Sequence, residues 1–503
     1  MKRILIILIV GFVSAQSFAQ NISDALRYGQ QDLTGTARST ALSGAFGALG
    51  GDFYGLSINP AGSAIFLDNH ASFTLSVEDV SNKTNLSGST NEIGSTDFTI
   101  GNAGAVFVFG INNENSPWKK FTLGIGYDAQ NNLDDELSIT GRSVESVGDF
   151  FLDQAQGTPL ELLQLLDGES ISDLYSFLGE TEGVAAQNAF LAYQGYIIDP
   201  QENSTTQYVS NMGTGSFSKD FYRISDGYQG KYTLNIGTQY GENIFFGINL
   251  NSHIIDYRQA SYLDETNINT NSSVKRVEFQ NTLATIGSGF SAQFGLIAKI
   301  QQDFRLGLSY ETPTWYTISE ETTQYLETSR VQDGETIITV VDPRIINIFS
   351  DYKLNTPGSV TASAAYIFGK QGLISIDYEY RDYGNLKFRP ANDSYFSNLN
   401  ALIENNLKAS STIRVGGEYR IQQLSLRAGG HFIESPYQDD SIVGNRTGFS
   451  LGLGYNLGNY FMDFAYLRSE QESNKRFYDS GLVDVSNINT VQQQFVFTLG
   501  YNL

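Results

Sequence analysis

Through most of its length the chain sets apolar side chains at every second position, opposite residues that are polar or small. In the last eleven residues Phe495, Phe497, Leu499, Tyr501 and Leu503 share one face, with Gln494, Thr498, Gly500 and Asn502 on the other. The segment 447–457 repeats this, with Phe449, Leu451, Leu453, Tyr455 and Leu457 against Ser450, Gly452, Gly454 and Asn456. Tyr232, Leu234 and Ile236 oppose Thr233, Asn235 and Gly237, and Ile413, Val415, Tyr419 and Ile421 oppose Arg414, Gly416, Glu418 and Arg420. A period of two belongs to β-strands, and the polar second face rules out strands buried on both sides. Fourteen segments carry the pattern, near 71–80, 97–109, 119–132, 228–240, 243–257, 288–300, 303–318, 358–369, 372–385, 411–421, 423–433, 446–457, 459–469 and 492–502. An even number is what a single-chain bacterial barrel requires.

The spacing narrows the choice further. From the fourth segment on, tight turns such as Gly241-Glu242, Gln301-Gln302, Gln422 and Gly458 alternate with connections of roughly 20 to 40 residues, about 12 for the shortest. Compact soluble domains do not carry such connections. Short turns at one end and long ones at the other mark an outer-membrane barrel, its short turns periplasmic. In lipid every backbone N–H and C=O needs an internal partner, which a closed barrel supplies and an open sheet does not. A soluble sandwich has no need of such lopsided connections, and no blade-length repeat points to a propeller. The fold class expected is therefore all-β, a transmembrane antiparallel barrel of about fourteen strands.

Composition removes most chemistries. The 503 residues include no Cys and only 3 His, so disulfides, zinc ribbons, thiolate catalysis and iron–sulfur clusters are out and a histidine-built metal site has little material. A net charge of −23 repels nucleic acid. There is no Gly-rich phosphate loop or HExxH pair, and a barrel esterase would need a Ser–His pair on its lipid face, whereas His431 falls on the lumen face, His70 precedes the first segment and His253 has no evident partner. The cluster Asp134-Asp135-Glu136 reads as a solvated acidic loop. No catalytic residue, metal or cofactor is expected.

At the N-terminus Lys2 and Arg3 precede the apolar run 4–13, and Ser17-Phe18-Ala19 sets small residues at −3 and −1 of a signal-peptidase site. Residues 1–19 therefore read as a cleaved signal peptide, leaving 20–69 as an N-terminal segment and 70–503 as the barrel. Residues 20–69 do not alternate. Small residues from Thr36 to Gly51 permit close backbone packing, which suits either a coil tucked inside the barrel or a periplasmic leader. The longest insertion, about 134–227, holds Glu161–Leu166 and Ile171–Leu178, two short amphipathic helices on the extracellular side. Their Leu and Phe either pack together or meet a greasy ligand.

Several motifs resemble the FadL/TodX family of outer-membrane transporters for long-chain fatty acids and other hydrophobic compounds. The Gly/Ala-rich stretch closing in Asn59-Pro60-Ala61 resembles that family's N-terminal hatch. Arg305–Tyr310 with Pro313, Thr356-Pro357-Gly358 followed by Ile376–Tyr380, Leu426–Gly430 with Pro436, and Leu451–Tyr455 leading to Asp463–Tyr466 resemble later strands in order. The sequence departs from the family in Ser63-Ala64-Ile65 and in its Leu503 end. The resemblance implies a fourteen-stranded barrel plugged by the hatch, Asn59, Pro60 and Ala61 facing an inward kink of the third strand near Gly124 and Gly126. It also implies an outer hydrophobic groove on the helices, held by Leu162, Leu163, Leu166, Leu174, Phe177 and Leu178.

Alternation turns many charged side chains into the lumen, where most should pair with one another. Arg414 or Arg427 is the candidate to meet a ligand carboxylate, since guanidinium binds carboxylate bidentately. The expected function is passive transport of long-chain fatty acids or similar hydrophobic molecules across the outer membrane, through a hatch-gated pocket and sideways into the bilayer. A diffusion porin and a loop-based surface receptor or adhesin, for example a haem-binding one, remain the alternatives. Expected partners are the hydrophobic ligand, outer-membrane lipid and, during biogenesis, the barrel-assembly machinery, with the protein a monomer.

Overall fold

The computed structural model describes residues 21–113 and 115–503. The expected signal peptide, residues 1–19, lies outside the described residues. Fourteen antiparallel strands close on themselves. They are β1 (His70–Leu86), β2 (Ser89–Gly110), β3 (Trp118–Asn132), β4 (Phe217–Tyr240), β5 (Ile244–Asn267), β6 (Val274–Lys299) and β7 (Phe304–Glu311). They continue with β8 (Ser359–Ile367), β9 (Gly372–Asp382), β10 (Ala409–Ile421), β11 (Leu424–Ile433), β12 (Val443–Asn456), β13 (Tyr460–Arg476) and β14 (Val485–Asn502). Each pairs with its neighbour in sequence, and β14 returns to β1 over His70↔Asn502 to Asn85↔Asn487.

Burial follows the alternation with its usual sense inverted. On β14 the apolar Phe495, Phe497 and Leu499 are exposed at 43–45%, while Thr498 between them is fully buried. The apolar face looks outward to lipid and the small or polar face inward, as closure in a membrane demands.

The strands run further than their alternation does. Between β1 and β2 the stretch 81–96, outside the first two alternating segments, is a hairpin closed by Ser87 and Gly88, both with positive φ as a tight turn requires. β4, β5 and β6 likewise continue well above the apolar band, and Asp135–Ser143 prolongs β3 against β4. Above the bilayer both faces meet polar surroundings, so the two-residue signal fades while the ladder persists.

The upper bore is filled by the long insertion. Helices Val147–Ala155, Ile171–Thr181 and Val184–Gln194 share one apolar core with inward residues of the extended strands, including Phe151, Leu174, Phe190, Phe217, Phe279 and Leu326. The second expected helix forms over Ile171–Thr181, capped by Ser170 and Asp173. The first does not: Glu161–Leu166 gives only a 3₁₀ turn at Leu160–Leu162. Pro159 before it and Gly168 after it, at φ +81°, leave too few residues to repay helix nucleation.

Residues 21–69 run inside the barrel. A helix over Ile22–Gly29, with Asn21 and Asp24 forming a reciprocal cap, packs in the upper bore against Tyr257, Tyr352, Phe388 and helix Ser394–Asn406. The chain then descends through short helices at Ala37–Ala41 and Gly55–Ile58 to the 3₁₀ turn Pro60–Ile65.

Candidate functional site

The hatch is fastened around most of the bore by side chains from the strands. Asp377 of β9 accepts from the N–H groups of Phe46 and Gly47 at 3.0 and 2.9 Å. Arg305 of β7 donates to Leu49 O at 2.8 Å, Asn249 of β5 to Leu56 O at 2.8 Å, and Thr498 of β14 accepts from Ala37 N at 2.8 Å. Each carbonyl or amide of this irregular segment would otherwise be buried without a partner, so the polar wall is what lets it sit there.

Asn59-Pro60-Ala61 is the most closely held part. Asn59 Nδ2 donates to Gly47 O at 2.7 Å and to Leu296 O at 3.1 Å, and its Oδ1 accepts from Ala61 N at 3.1 Å. Glycines open the wall for it. A Cβ at Gly247 would stand 2.2 Å from Pro60 C, and one at Gly295 would stand 2.1 Å from Asn59 Oδ1. The tripeptide therefore lies against β5 and β6, not against a bend of the third strand.

Gly124 and Gly126 do not form a kink. Both pair in register on either side, with Val106 and Gly104 on β2 and with Asn235 and Thr233 on β4. They give the hatch room: a Cβ at Gly126 would enter the Phe53 ring at 2.2 Å. The interruption lies higher. The β2–β3 ladder stops at Asn102↔Asp128, while β3 stays paired with β4 to Asn132↔Tyr228 through a bulge between Ala129 and Asn131. Above, the wall is joined again by Asn82 donating to Glu136 O at 2.7 Å and Asn91 to Ser138 Oγ at 2.6 Å.

Between these limits is a side window of about 730 Å³. That lies within the roughly 300–1,000 Å³ range of small-molecule sites. Phe73, Phe98, Ile100, Tyr127, Tyr228 and Tyr232 line it on the membrane side, and Thr34 and Gly35 of the hatch meet it from within. Gly35 sits at φ +129° with the Tyr54 ring where a Cβ would be, so the hatch presents bare backbone there. Asn102 and Ser57 both donate to Asp128 at the lower edge. Behind it a smaller cavity of about 90 Å³ holds charged groups of both signs.

Most of those charges are matched. Arg414 Nη2 meets Glu379 at 2.7 Å, and Arg381 meets Glu379 at 3.1 Å and Glu311 at 3.2 Å. Arg427 lies 2.7 Å from Glu418 and 2.6 Å from Asp463, and Glu418 also takes Arg38 of the hatch at 2.9 Å. Arg414 and Arg427 are thus held by protein carboxylates, Arg414 at the wall of the charged cavity with its Nε unpartnered. Lys231 of β4 differs. Its side chain is 6% exposed, it lines the charged cavity, and among the described residues its one carboxylate within ion-pair distance, Asp128, is 3.8 Å away. Sequence reasoning passed it over because one Lys on a polar strand face carries no pattern.

Replacing Arg427 by Ala would strand Asp463 in a nearly dry site and leave Glu418 with Arg38 and Arg420 alone. We expect a loss of roughly 3–5 kcal/mol, the usual cost of halving a buried ion pair. The fall should be read as a lower temperature for the heat-induced mobility shift of the folded barrel. The six residues expected to hold an outer groove divide. Leu163, Leu174 and Leu178 are buried in the core of the insertion, Leu162 and Phe177 pack partly against it, and Leu166 alone is exposed, at 51%.

The family model for outer membrane protein transport proteins (OMPP1/FadL/TodX) matches residues 246–500. Among solved structures, a FadL homologue of Pseudomonas aeruginosa superposes with a TM-score of 0.53 at 12% identity, over 94% of this chain and 99% of that one. The toluene transporter TodX of P. putida gives a TM-score of 0.50 at 13% identity, over 94% and 99% of the two chains. Among curated proteins nothing matches.

Proposed function

The chain belongs to the FadL/TodX family of outer-membrane transport proteins, and on that premise we propose that it passes long-chain fatty acids or similarly hydrophobic molecules through the side window into the bilayer. The observation that carries this reading is the window between β2 and β3, aromatic toward lipid and closed from within by Thr34 and Gly35. An acyl chain gains about 0.8 kcal/mol per CH₂ on leaving water, so capture needs no energy source. Release sideways keeps the chain in an apolar phase throughout, which an aqueous exit would not.

The cavity of about 90 Å³ behind the window is too small for such a chain but large enough for a head group. Lys231, whose carboxylate neighbour is more distant than those of Arg414 and Arg427, supplies the cation for a carboxylate there. The residues 21–69 act as the hatch, and the ligand enters from the capped outer end.

The test is binding of radiolabelled oleate and of toluene to purified chain and to Lys231→Gln. Saturable oleate binding that weakens about tenfold in the variant, the scale of one charge-assisted contact, with toluene unaffected, is the expected result. Equal loss for both ligands would remove the head-group role. Absence of binding to the native chain would remove the hydrophobic-transport reading itself.

A further inference from the structure

A second indentation lies on the outer face of the wall, far from the hatch window. The β7–β8 ladder ends at Glu311↔Ser359. It resumes only at Trp315↔Asn355, where the strand Trp315–Gln332 takes up the short strand Tyr352–Asn355. The intervening Pro313 and Pro357 have no N–H to give a ladder. Gly358 comes so near the opposite strand that a Cβ would stand 2.5 Å from Glu311 O. The result is a notch of about 490 Å³ open to the membrane side.

Its floor and its rim differ in chemistry. Tyr310, Trp315 and Tyr380 line it and are 46–47% exposed, which sets them in the aromatic girdle at the extracellular edge of the apolar band. Directly above, Tyr352–Asn355 pairs with Lys387–Arg389, with Lys353↔Arg389 and Asn355↔Lys387 opposite one another. Tyr352, Leu354 and Phe388 are buried in the bore, so the alternate Lys353, Lys387 and Arg389 point outward, and all three are exposed.

Two of these cations are direct cross-strand partners, about 5 Å apart at Cβ, and the third is two residues along the same face. Like charges so placed repel, and the chain holds 54 acidic residues against 31 basic ones from which to match them. It does not. Among the described residues none of the three has a carboxylate within ion-pair distance. The nearby Asp351 accepts from Ser319 at 2.6 Å, and Asp382 accepts from Gly384 N and Asn385 at 3.1 and 2.9 Å. Cations left unmatched just above an aromatic girdle stand at the depth of lipid phosphates.

We propose that this notch is a binding site for a phosphorylated lipid of the outer leaflet. The phosphate is clasped by Lys353, Lys387 and Arg389, and an acyl chain runs down over Tyr310, Val360 and Tyr380. The lipid neutralises the cation cluster and fills a gap in the wall that no protein side chain fills. The site is separate from the transport path: it lies on the outer surface between β7 and β9.

Native mass spectrometry of the full chain in detergent tests this, with bisphosphorylated lipid A as probe and its dephosphorylated form and inorganic phosphate as comparison arms. The native chain should retain the bisphosphorylated lipid. A Lys353→Glu/Lys387→Glu/Arg389→Glu variant should retain it at least about tenfold less, since each basic residue at a lipid surface adds to the attraction. The milder triple change to Gln should fall between, and serves if charge reversal prevents assembly. Reversal of the exposed Lys83 should change nothing. Equal retention by the charge-reversed chain, or of the dephosphorylated lipid by the native chain, would overturn the proposal. Displacement of the lipid by millimolar inorganic phosphate would overturn it in favour of a free-anion site.

Discussion

A Gly101→Cys/Ala129→Cys chain is expected to lose about tenfold or more of its uptake of a hydrophobic compound on oxidation, and to recover it on reduction, as for any path blocked at its gate. These positions are the next after Asn102↔Asp128, where β2 and β3 part. A disulfide between them needs Cα atoms within about 7 Å, so its formation draws the lower edges of the window together. The chain has no other cysteine to compete, and the bond is read as a reductant-sensitive gel shift. If the edges stay too far apart, a short thiol cross-linker serves the same end. Undiminished uptake with the window cross-linked would mean that ligand leaves by another route. It would leave the fold and the family intact.

The hatch prediction has an effect as large and a different readout. Val at Gly247 or at Gly307 adds a branched side chain whose Cβ would stand 2.2 Å from Pro60 C or from Gly47 O. Both obstructing atoms are backbone, so the hatch must move. The barrel itself should tolerate the change, since β-branched residues suit strands and overpacking costs about 1–3 kcal/mol. Planar-bilayer recordings should show little current for the native chain and a steady ion conductance for either variant, with the heat-induced mobility shift retained. A native chain that already conducts steadily would favour the diffusion-porin alternative. Silent variants would show that residues 46–62 are not what seals the bore.

The barrel was legible because lipid imposes a rule on every second residue, and fourteen segments obeyed it. Legibility stopped at the bilayer surface. In β5 the residues 258–267 have no lipid to face, and they read as a loop although the ladder continues to Asn267. The hatch could be read as small-residue packing, and glycines such as Gly247 and Gly295 answer it from the wall, but which strands they sat on relative to Asn59 was a matter of three-dimensional register. The window was misplaced for a related reason. Gly124 and Gly126 looked like breaks in β3, yet each is paired on both sides. The true break leaves a weaker trace, the end of alternation at Ala129-Gln130-Asn131-Asn132. Arg414 and Arg427 show what alternation cannot resolve: it turned them inward, but Glu379, Glu418 and Asp463 reach them from other strands.

The continuation of β4, β5 and β6 beyond the apolar band has a consequence for where the protein meets its surroundings. Ten further residues at about 3.3 Å each, inclined by roughly 40°, lift the rim by about 25 Å. That height is several times the depth of the interfacial layer, about 5–8 Å on each side of the hydrocarbon. The rim therefore opens above the headgroups, in the water outside, and the stack of strands beneath it walls off whatever enters from the layer it passes through.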